Sequence, residues 1–378
     1  MRILFALPGF HRVTRGAETA LEQVAKHIAL MPGYDVTLIG SGQPQKGTPY
    51  NFQHVPCIPR ERFERFPELP YLRSHYVYEE LTFATRLIGA YDPRDYDVTV
   101  TCSYPYTNWV LRAKRGSHSP KHVFVTQNGD WMCHAKNWEF RHFNCDGLVC
   151  TNPEYFERNR DRYPARLIPN GVDPTAFKPE SGNRRAYNLP EQAPLVLMVS
   201  ALISSKRVIE GIRAVAKLPD VCLVIAGDGE LRHEVQTLGQ ELLGDRFRLL
   251  KLRPDQMPGL YQCADAVLHM SQDEPFGNVY IEALASGLPV VAHDWQVTRW
   301  ILEDCGIFVD TSDLQSTANR VSFALTQNSP TAIEQRRKLV DQRFTWSRLA
   351  EQYCTLFQQV CQPQKLPAVE LSAVQEKA

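Results

Sequence analysis

Residues 2–40 read RILFALPGFHRVTRGAETALEQVAKHIALMPGYDVTLIG. Arg2–Leu7 is a short apolar run stopped by Pro8-Gly9, and a polar loop follows that ends at Arg15-Gly16. From there Ala17, Ala20, Leu21, Val24, Ala25 and Ile28 recur at helical spacing until Pro32-Gly33 breaks the pattern. Asp35–Gly40 is again apolar and strand-sized. Strand, loop, helix and strand in so short a span make a βαβ unit, and such units build parallel sheets.

The same rhythm runs outward from that unit. Asp97–Cys102, His122–Thr126, Gly147–Thr151 and Arg166–Ile168 read as strands, with a helix near Tyr106–Lys114. Residues 171–193 carry prolines, glycines and few apolar side chains, and read as a linker. Beyond them Leu195–Ser200, Cys222–Ala226, Arg248–Leu252, Ala266–Met270 and Pro289–Ala292 read as strands. Helices are expected between them at Val208–Lys217, Leu231–Leu243, Met257–Gln262 and Asn278–Ser286. Residues 346–361 form a last amphipathic helix, expected to pack back on the first domain, and 362–378 a tail. The chain is therefore read as α/β, with domains at 1–170 and 194–345. Ligands of such sheets bind at the carboxyl ends of the strands, so the cleft between two domains is the expected site.

Composition narrows the function classes. The chain has 378 residues, 43% hydrophobic and 22% charged, which excludes disorder and coiled coil as the main architecture. Lys+Arg and Asp+Glu are both 42, so a nucleic-acid partner, which calls for a basic excess, is not expected. The ten cysteines include no C-x-x-C and read as reduced thiols of a cytoplasmic protein. No apolar run approaches the ~20 residues that cross a bilayer.

The chemistry concentrates in Glu274-Pro-Phe-Gly-Asn-Val-Tyr-Ile-Glu282-Ala-Leu-Ala-Ser-Gly-Leu-Pro-Val-Val291. Glu274 falls in a loop after a strand, Gly277 lets a ligand approach the backbone, and Asn278 can open a helix. That helix start offers unpaired N–H groups and a positive dipole end to a phosphate. Glu282, one turn on, can accept hydrogen bonds from sugar hydroxyls. A capping acid and a solvated helix glutamate would look the same in isolation. Lys206 follows another strand, at a loop-to-helix junction where a point charge can meet a diphosphate.

This segment resembles the E-x7-E signature of retaining glycosyltransferases of the GT-B fold, family 4 in particular, matched at Glu274, Phe276, Gly277, Glu282, Ala283, Ala285, Gly287, Pro289, Val290 and Val291. Ile168-Pro-Asn170-Gly171-Val-Asp173, Ala226-Gly227-Asp228-Gly229 and Phe344-Thr-Trp346 resemble further pieces of the family pattern, in order. The resemblance implies two Rossmann-like domains facing a cleft. It implies transfer of a hexosyl unit, with retention, from a GDP-, UDP- or ADP-sugar to a hydroxyl acceptor, in polysaccharide or glycoconjugate synthesis. On it, Glu274, Lys206 and Asp130 are the catalytic candidates. Donor contacts fall to Gly16, Lys206, Arg207, Gly227, Glu274, Phe276, Gly277, Asn278 and Glu282, and acceptor-side contacts to Arg15, Gln127 and Asn128. The sequence departs from the family at three places. Ala201 stands where an arginine is usual, Arg15 replaces the first of two glycines, and Gln127 or Asn128 takes the place of a histidine. Asp130 is the nearby group that can act as a base.

Neither Asp95-Tyr96-Asp97 nor the eleven histidines have metal-site spacing in a suitable context, so the expected enzyme uses no metal and no cofactor beyond its nucleotide-sugar donor. Arginines and aromatics alternate in Arg60–Glu80, and Arg112, Lys114, Arg115 and Lys121 add charge to a front half with 21 basic and 17 acidic residues in 1–170. That pattern permits weak attachment to the inner face of an anionic membrane, and equally fits a solvated surface. Two other readings stay open: a nucleotide-sugar epimerase or hydrolase on the same fold, and a catalytically degenerate sugar-nucleotide binding protein.

Overall fold

The computed structural model describes residues 1–113 and 119–362. The expectations for Lys114, Arg115 and most of the tail lie outside the described residues. The chain divides into two compact units, one of Met1–Val149, Arg158–Arg166 and the segment from Ala350 on, the other of Cys150–Glu157 and Leu167–Leu349.

The first unit is built on β1 (Arg2–Ala6), α1 (Gly16–Ala29), β2 (Asp35–Gly40), β3 (Asn51–His54), α2 (His75–Ala90), β4 (Val98–Thr101), α3 (Tyr106–Arg112), β5 (Lys121–Val125), α4 (Trp131–His134), β6 (Gly147–Cys150), α5 (Pro153–Asn159) and β7 (Ala165–Leu167). α5 opens in the second unit, and β6 and β7 end there. The strands form one sheet in the order β3-β2-β1-β4-β5-β6-β7. Pairing is parallel, with Ile3 opposite Val36 on one side and Val98 on the other. Ile3, Leu4, Phe5, Val98, Val100, Val123, Phe124 and Leu148 are all fully buried, as strands covered on both faces require.

The second unit repeats the plan with β8 (Leu195–Val199), α6 (Val208–Val215), β9 (Cys222–Ala226), α7 (Arg232–Leu243), β10 (Phe247–Leu250), α8 (Met257–Tyr261), β11 (Ala266–His269), α9 (Asn278–Ala285), β12 (Val290–His293), α10 (Gln296–Leu302), β13 (Gly306–Val309), α11 (Leu314–Ala324) and α12 (Pro330–Arg343). Its sheet order is β10-β9-β8-β11-β12-β13, again parallel. The last helix, α13 (Trp346–Cys361), begins in this unit and continues in the first.

Strand order shows where a ligand fits. After β8 the chain winds to one side through β9 and β10, then returns to lay β11, β12 and β13 on the other. The reversal leaves a crevice between the carboxyl ends of β8 and β11, the position at which open α/β sheets bind ligands. In the first unit the corresponding reversal lies between β1 and β4.

Several elements were not foreseen: β3, α2, α4, α5, β13, α10, α11 and α12. The strands and helices that were read lie within a residue or two of their expected ends, α3 among them, which stops at Arg112.

Candidate functional site

The loops after β8 and β11 bring Lys206 and Glu274 together. Lys206 Nζ donates to Glu274 Oε2 at 2.6 Å, although the two residues are far apart in sequence. His269, the last residue of β11, donates to the same oxygen from Nε2 at 2.9 Å. Burial alone would raise the Glu274 carboxyl, but the His269 hydrogen bond and the adjacent Lys206 ammonium outweigh it and hold the group below its ordinary value. Glu274 is thus an ionised carboxylate in a largely desolvated place.

Gly277 takes a left-handed conformation, φ +73°, at the start of α9. A Cβ there would lie 2.7 Å from Tyr280 Cε2 and 2.9 Å from Glu274 Cγ, so glycine is required both for the turn and for the seat of Glu274. Asn278 opens the helix, and its Oδ1 accepts from Asn170 Nδ2 at 3.0 Å. Asn152 Nδ2 donates to the carbonyl of Pro275 at 2.7 Å. Two asparagines from early in the chain therefore brace the loop. Glu282, one turn into α9, accepts from the Tyr261 hydroxyl at 2.7 Å; burial raises its carboxyl despite that bond.

Several expected contacts have other employment. Phe276 is 5% exposed and packs its ring edge-to-face on Trp300 and Phe344, so its side chain anchors the loop and only its backbone is left for a ligand. A Cβ at Gly227 would lie 1.9 Å from the carbonyl oxygen of Ser200. Its bare α-carbon admits the neighbouring β8 loop, which carries Lys206. Arg207 is left-handed, φ 53°, and its guanidinium goes to Glu210 and to Thr311 Oγ1, which in turn donates to the Met270 carbonyl. It does not complete the clamp that Ala201 leaves open.

In the first unit the loops after β1, β4 and β5 meet at the carboxyl end of the sheet. Gly16 begins α1, with open space where a side chain would be. Arg15 is surrounded by carboxylates: Glu79 at 3.4 Å, Glu61 at 3.3 Å and Glu18 at 3.7 Å. Glu79, fully buried, also pairs with Arg12 and Arg60, so Arg15 is already charge-balanced and is not a free anion site. Asn128 is exposed in a tight turn closed by Gly129 (φ +99°), and its Nδ2 lies 3.8 Å from Cys102 Sγ. Gln127 precedes it, half-buried.

Asp130, the candidate base, is enclosed by partners. It is 3% exposed; Oδ2 accepts from Asn159, and Oδ1 accepts from Arg158 and meets His134 Nε2. Both oxygens are engaged in tying the start of α4 to the last two residues of α5. Asp97 likewise serves the scaffold, holding the Arg2 backbone N–H and guanidinium, so the D-x-D triplet is a structural cap. Among the described residues no group of three His, Cys, Asp or Glu is placed to hold a metal ion.

Sequence reasoning missed His269, Tyr261 and Asn152. A single histidine at a strand end carries no spacing signal, and the other two act through residues distant in sequence.

Comparison with known proteins agrees with this architecture. Residues 14–176 match the model described as Glycosyltransferase Family 4, and residues 180–344 the one described as Glycosyl transferases group 1. Together they account for nearly all of the two units. The chain belongs to glycosyltransferase family 4. A curated relative in Rhizobium meliloti, the lipopolysaccharide core biosynthesis glycosyltransferase LpsE, is 29% identical over 228 residues, 58% of this chain and 65% of that relative. The chain spans about half to two thirds of the length of the first curated relatives it matches. Among solved structures, sucrose-phosphate synthase from Thermosynechococcus elongatus superposes with a TM-score of 0.76 at 21% identity, covering 95% of this chain and 98% of that one. HepE from Anabaena, in complex with UDP-glucose, gives 0.70 at 18% identity, covering 94% and 98%. These neighbours establish the family's GT-B architecture for this chain: two parallel sheets, each with its helices. No helix among the described residues is long and apolar enough to cross a membrane.

Proposed function

We propose that this family member is a retaining glycosyltransferase. It moves a hexosyl unit from a nucleoside-diphosphate sugar to a hydroxyl acceptor in lipopolysaccharide-type glycoconjugate synthesis, without a metal. The observation that carries the reading is the Lys206–Glu274 pair beside the left-handed Gly277 at the start of α9. The supporting comparisons are the lipopolysaccharide relative and a fold neighbour solved with UDP-glucose.

In this scheme the free N–H groups at Gly277–Asn278 and the Lys206 ammonium take the diphosphate. Glu274 accepts from the hexose hydroxyls, and Glu282, oriented by Tyr261, from the ribose. The bond from the anomeric carbon to the diphosphate breaks while a bond to the acceptor oxygen forms on the same face. The acceptor proton passes to the departing phosphate oxygen, so no protein base is needed, and Asp130 is not required for one. Gly16 leaves room for acceptor or donor, and Gln127 and Asn128 supply neutral hydrogen-bonding groups on the acceptor side.

The test separates sugar handling from nucleotide binding. Glu274→Ala should lower transfer by ~10²–10³-fold, the usual loss for a group acting on developing charge, while nucleoside-diphosphate affinity stays near wild type. Transfer at the wild-type rate would contradict the assignment. The reading also places the enzyme at the inner face of an anionic membrane. The support is exposed apolar side chains of the first unit, Phe66, Leu69, Trp131 and Trp138 among them. Co-sedimentation with phosphatidylglycerol vesicles at low salt, lost on replacing Phe66 and Trp138 by serine, checks this; no sedimentation would remove it.

A further inference from the structure

His269 is absent from the motif that surrounds it, yet it touches the residue on which the proposed chemistry turns. It closes β11, it is 4% exposed, and its ring stands edge-to-face against Tyr280 of α9 with centroids 5.1 Å apart. A carboxylate only accepts, so the nitrogen 2.9 Å from Glu274 Oε2 carries the ring proton, and the tautomer is Nε2–H. Lys206 and His269 both bind Oε2. Among the described residues no hydrogen bond reaches Oε1. Glu274 is thus gripped by one oxygen and presents the other.

The two donors differ in stiffness. Lys206 is a point charge on a flexible four-carbon stem, 21% exposed, and can turn to another anion. His269 is a rigid ring clamped by Tyr280 at the end of a buried strand. A diphosphate carries more negative charge than one carboxylate and draws Lys206 away from Glu274. Once the ammonium has turned, only His269 still fixes the carboxylate.

We propose that His269 is a positioning residue: its Nε2–H holds Glu274 Oε2 so that Oε1 faces the donor sugar while Lys206 is handed over to the diphosphate. This rests on the donor-site reading of Glu274 and Lys206. His269 touches no substrate atom; it acts through Glu274.

The pair His269→Gln and His269→Asn tests it. The glutamine amide nitrogen falls near the place of Nε2, whereas the asparagine amide falls near Nδ1 and stops short of Glu274. Both are polar and similar in size, so a merely structural role would affect them alike. Calorimetry with UDP, GDP and ADP, and with UDP-glucose, GDP-mannose and ADP-glucose, reads nucleotide and sugar separately. The expected result is unchanged nucleoside-diphosphate affinity in both variants. Sugar-nucleotide affinity should fall about tenfold in His269→Asn, the loss of one charge-assisted hydrogen bond, and should be largely retained in His269→Gln. Wild-type sugar-nucleotide affinity in a folded His269→Asn protein would overturn the positioning role alone. Should that variant not fold, loss of sugar affinity in His269→Gln would overturn it equally. Failure of the wild-type protein to bind any of the six probes would overturn the donor-site reading and this proposal with it.

Discussion

Glu80 shows how much a single buried carboxyl can shape the behaviour of this protein. It lies on the inner face of α2, fully buried, with Oε1 accepting the Thr107 N–H and Oε2 unpartnered among the described residues. Burial pushes it from 4.5 up to about 8, against the opposing pull of donors on Thr107 and Tyr106. The sign follows from proton counting. Between those two values the folded chain keeps a proton that the unfolded chain has released, so stability falls as pH rises through the window, by up to ~1.4 kcal/mol per pH unit. Glu80→Gln keeps the shape and removes the titration. Its advantage over wild type in urea unfolding should grow steadily from pH 5 to pH 8; parallel pH profiles would contradict the burial argument. Residue-scale chemistry at the site runs the other way. Glu274 is largely removed from water, its side chain 13% exposed, but His269 and Lys206 keep it charged. At Glu274 a cation and a ring N–H offset the burial, whereas at Glu80 the neutral donors do not.

At the scale of elements, the site depends on how the loop between β11 and α9 is anchored. Phe276 pins it into the core between Trp300 and Phe344 while Gly277 turns the chain outward. Phe276→Ala should cost ~3–5 kcal/mol of unfolding free energy and should weaken sugar-nucleotide binding as the loop loosens. Phe276→Leu should cost much less on both counts. Equal binding by folded Phe276→Ala protein would show that the loop does not need its anchor. These elements also explain what the sequence displayed and what it hid. Central strands such as β1, β8 and β9 are buried on both faces, so they appear as continuous apolar runs. α2 was hidden because its buried face carries Glu79 and Glu80 among Val77, Phe83 and Leu87. Only the three arginines meeting Glu79 make that face tolerable inside the fold. α12 hides its pattern likewise, burying Arg336, whose guanidinium donates to the carbonyls of Gly287 and Gln327. At the site, Glu274, Gly277 and Asn278 were legible because their motif is local, and Lys206 because it stands at a strand-to-helix junction. Asp130, Phe276 and Gly227 belong to the same family pattern or sit beside it, yet their side chains or close approaches support the scaffold. A motif records which positions are constrained and does not separate ligand contact from packing.

For the whole molecule, two sheets each reverse direction once, and the candidate residues gather where they do. In the second unit the crevice between β8 and β11 holds Lys206 and Glu274; in the first, the loops after β1 and β4 carry Gly16, Arg15 and Cys102. On the proposed reading, the second unit carries a nucleotide-sugar site that works without a metal. The most direct measurement is calorimetric titration of the full chain with UDP-, GDP- and ADP-sugars in the presence of a chelator, repeated with Mg²⁺. One nucleotide base should be selected with micromolar affinity, and the chelator should not matter. Binding to the folded state at a hundredfold excess over Kd should also add ~2.7 kcal/mol of stability, visible as a raised Tm. A protein that melts cooperatively yet binds none of these sugars, or binds them only once Mg²⁺ is added, would contradict it.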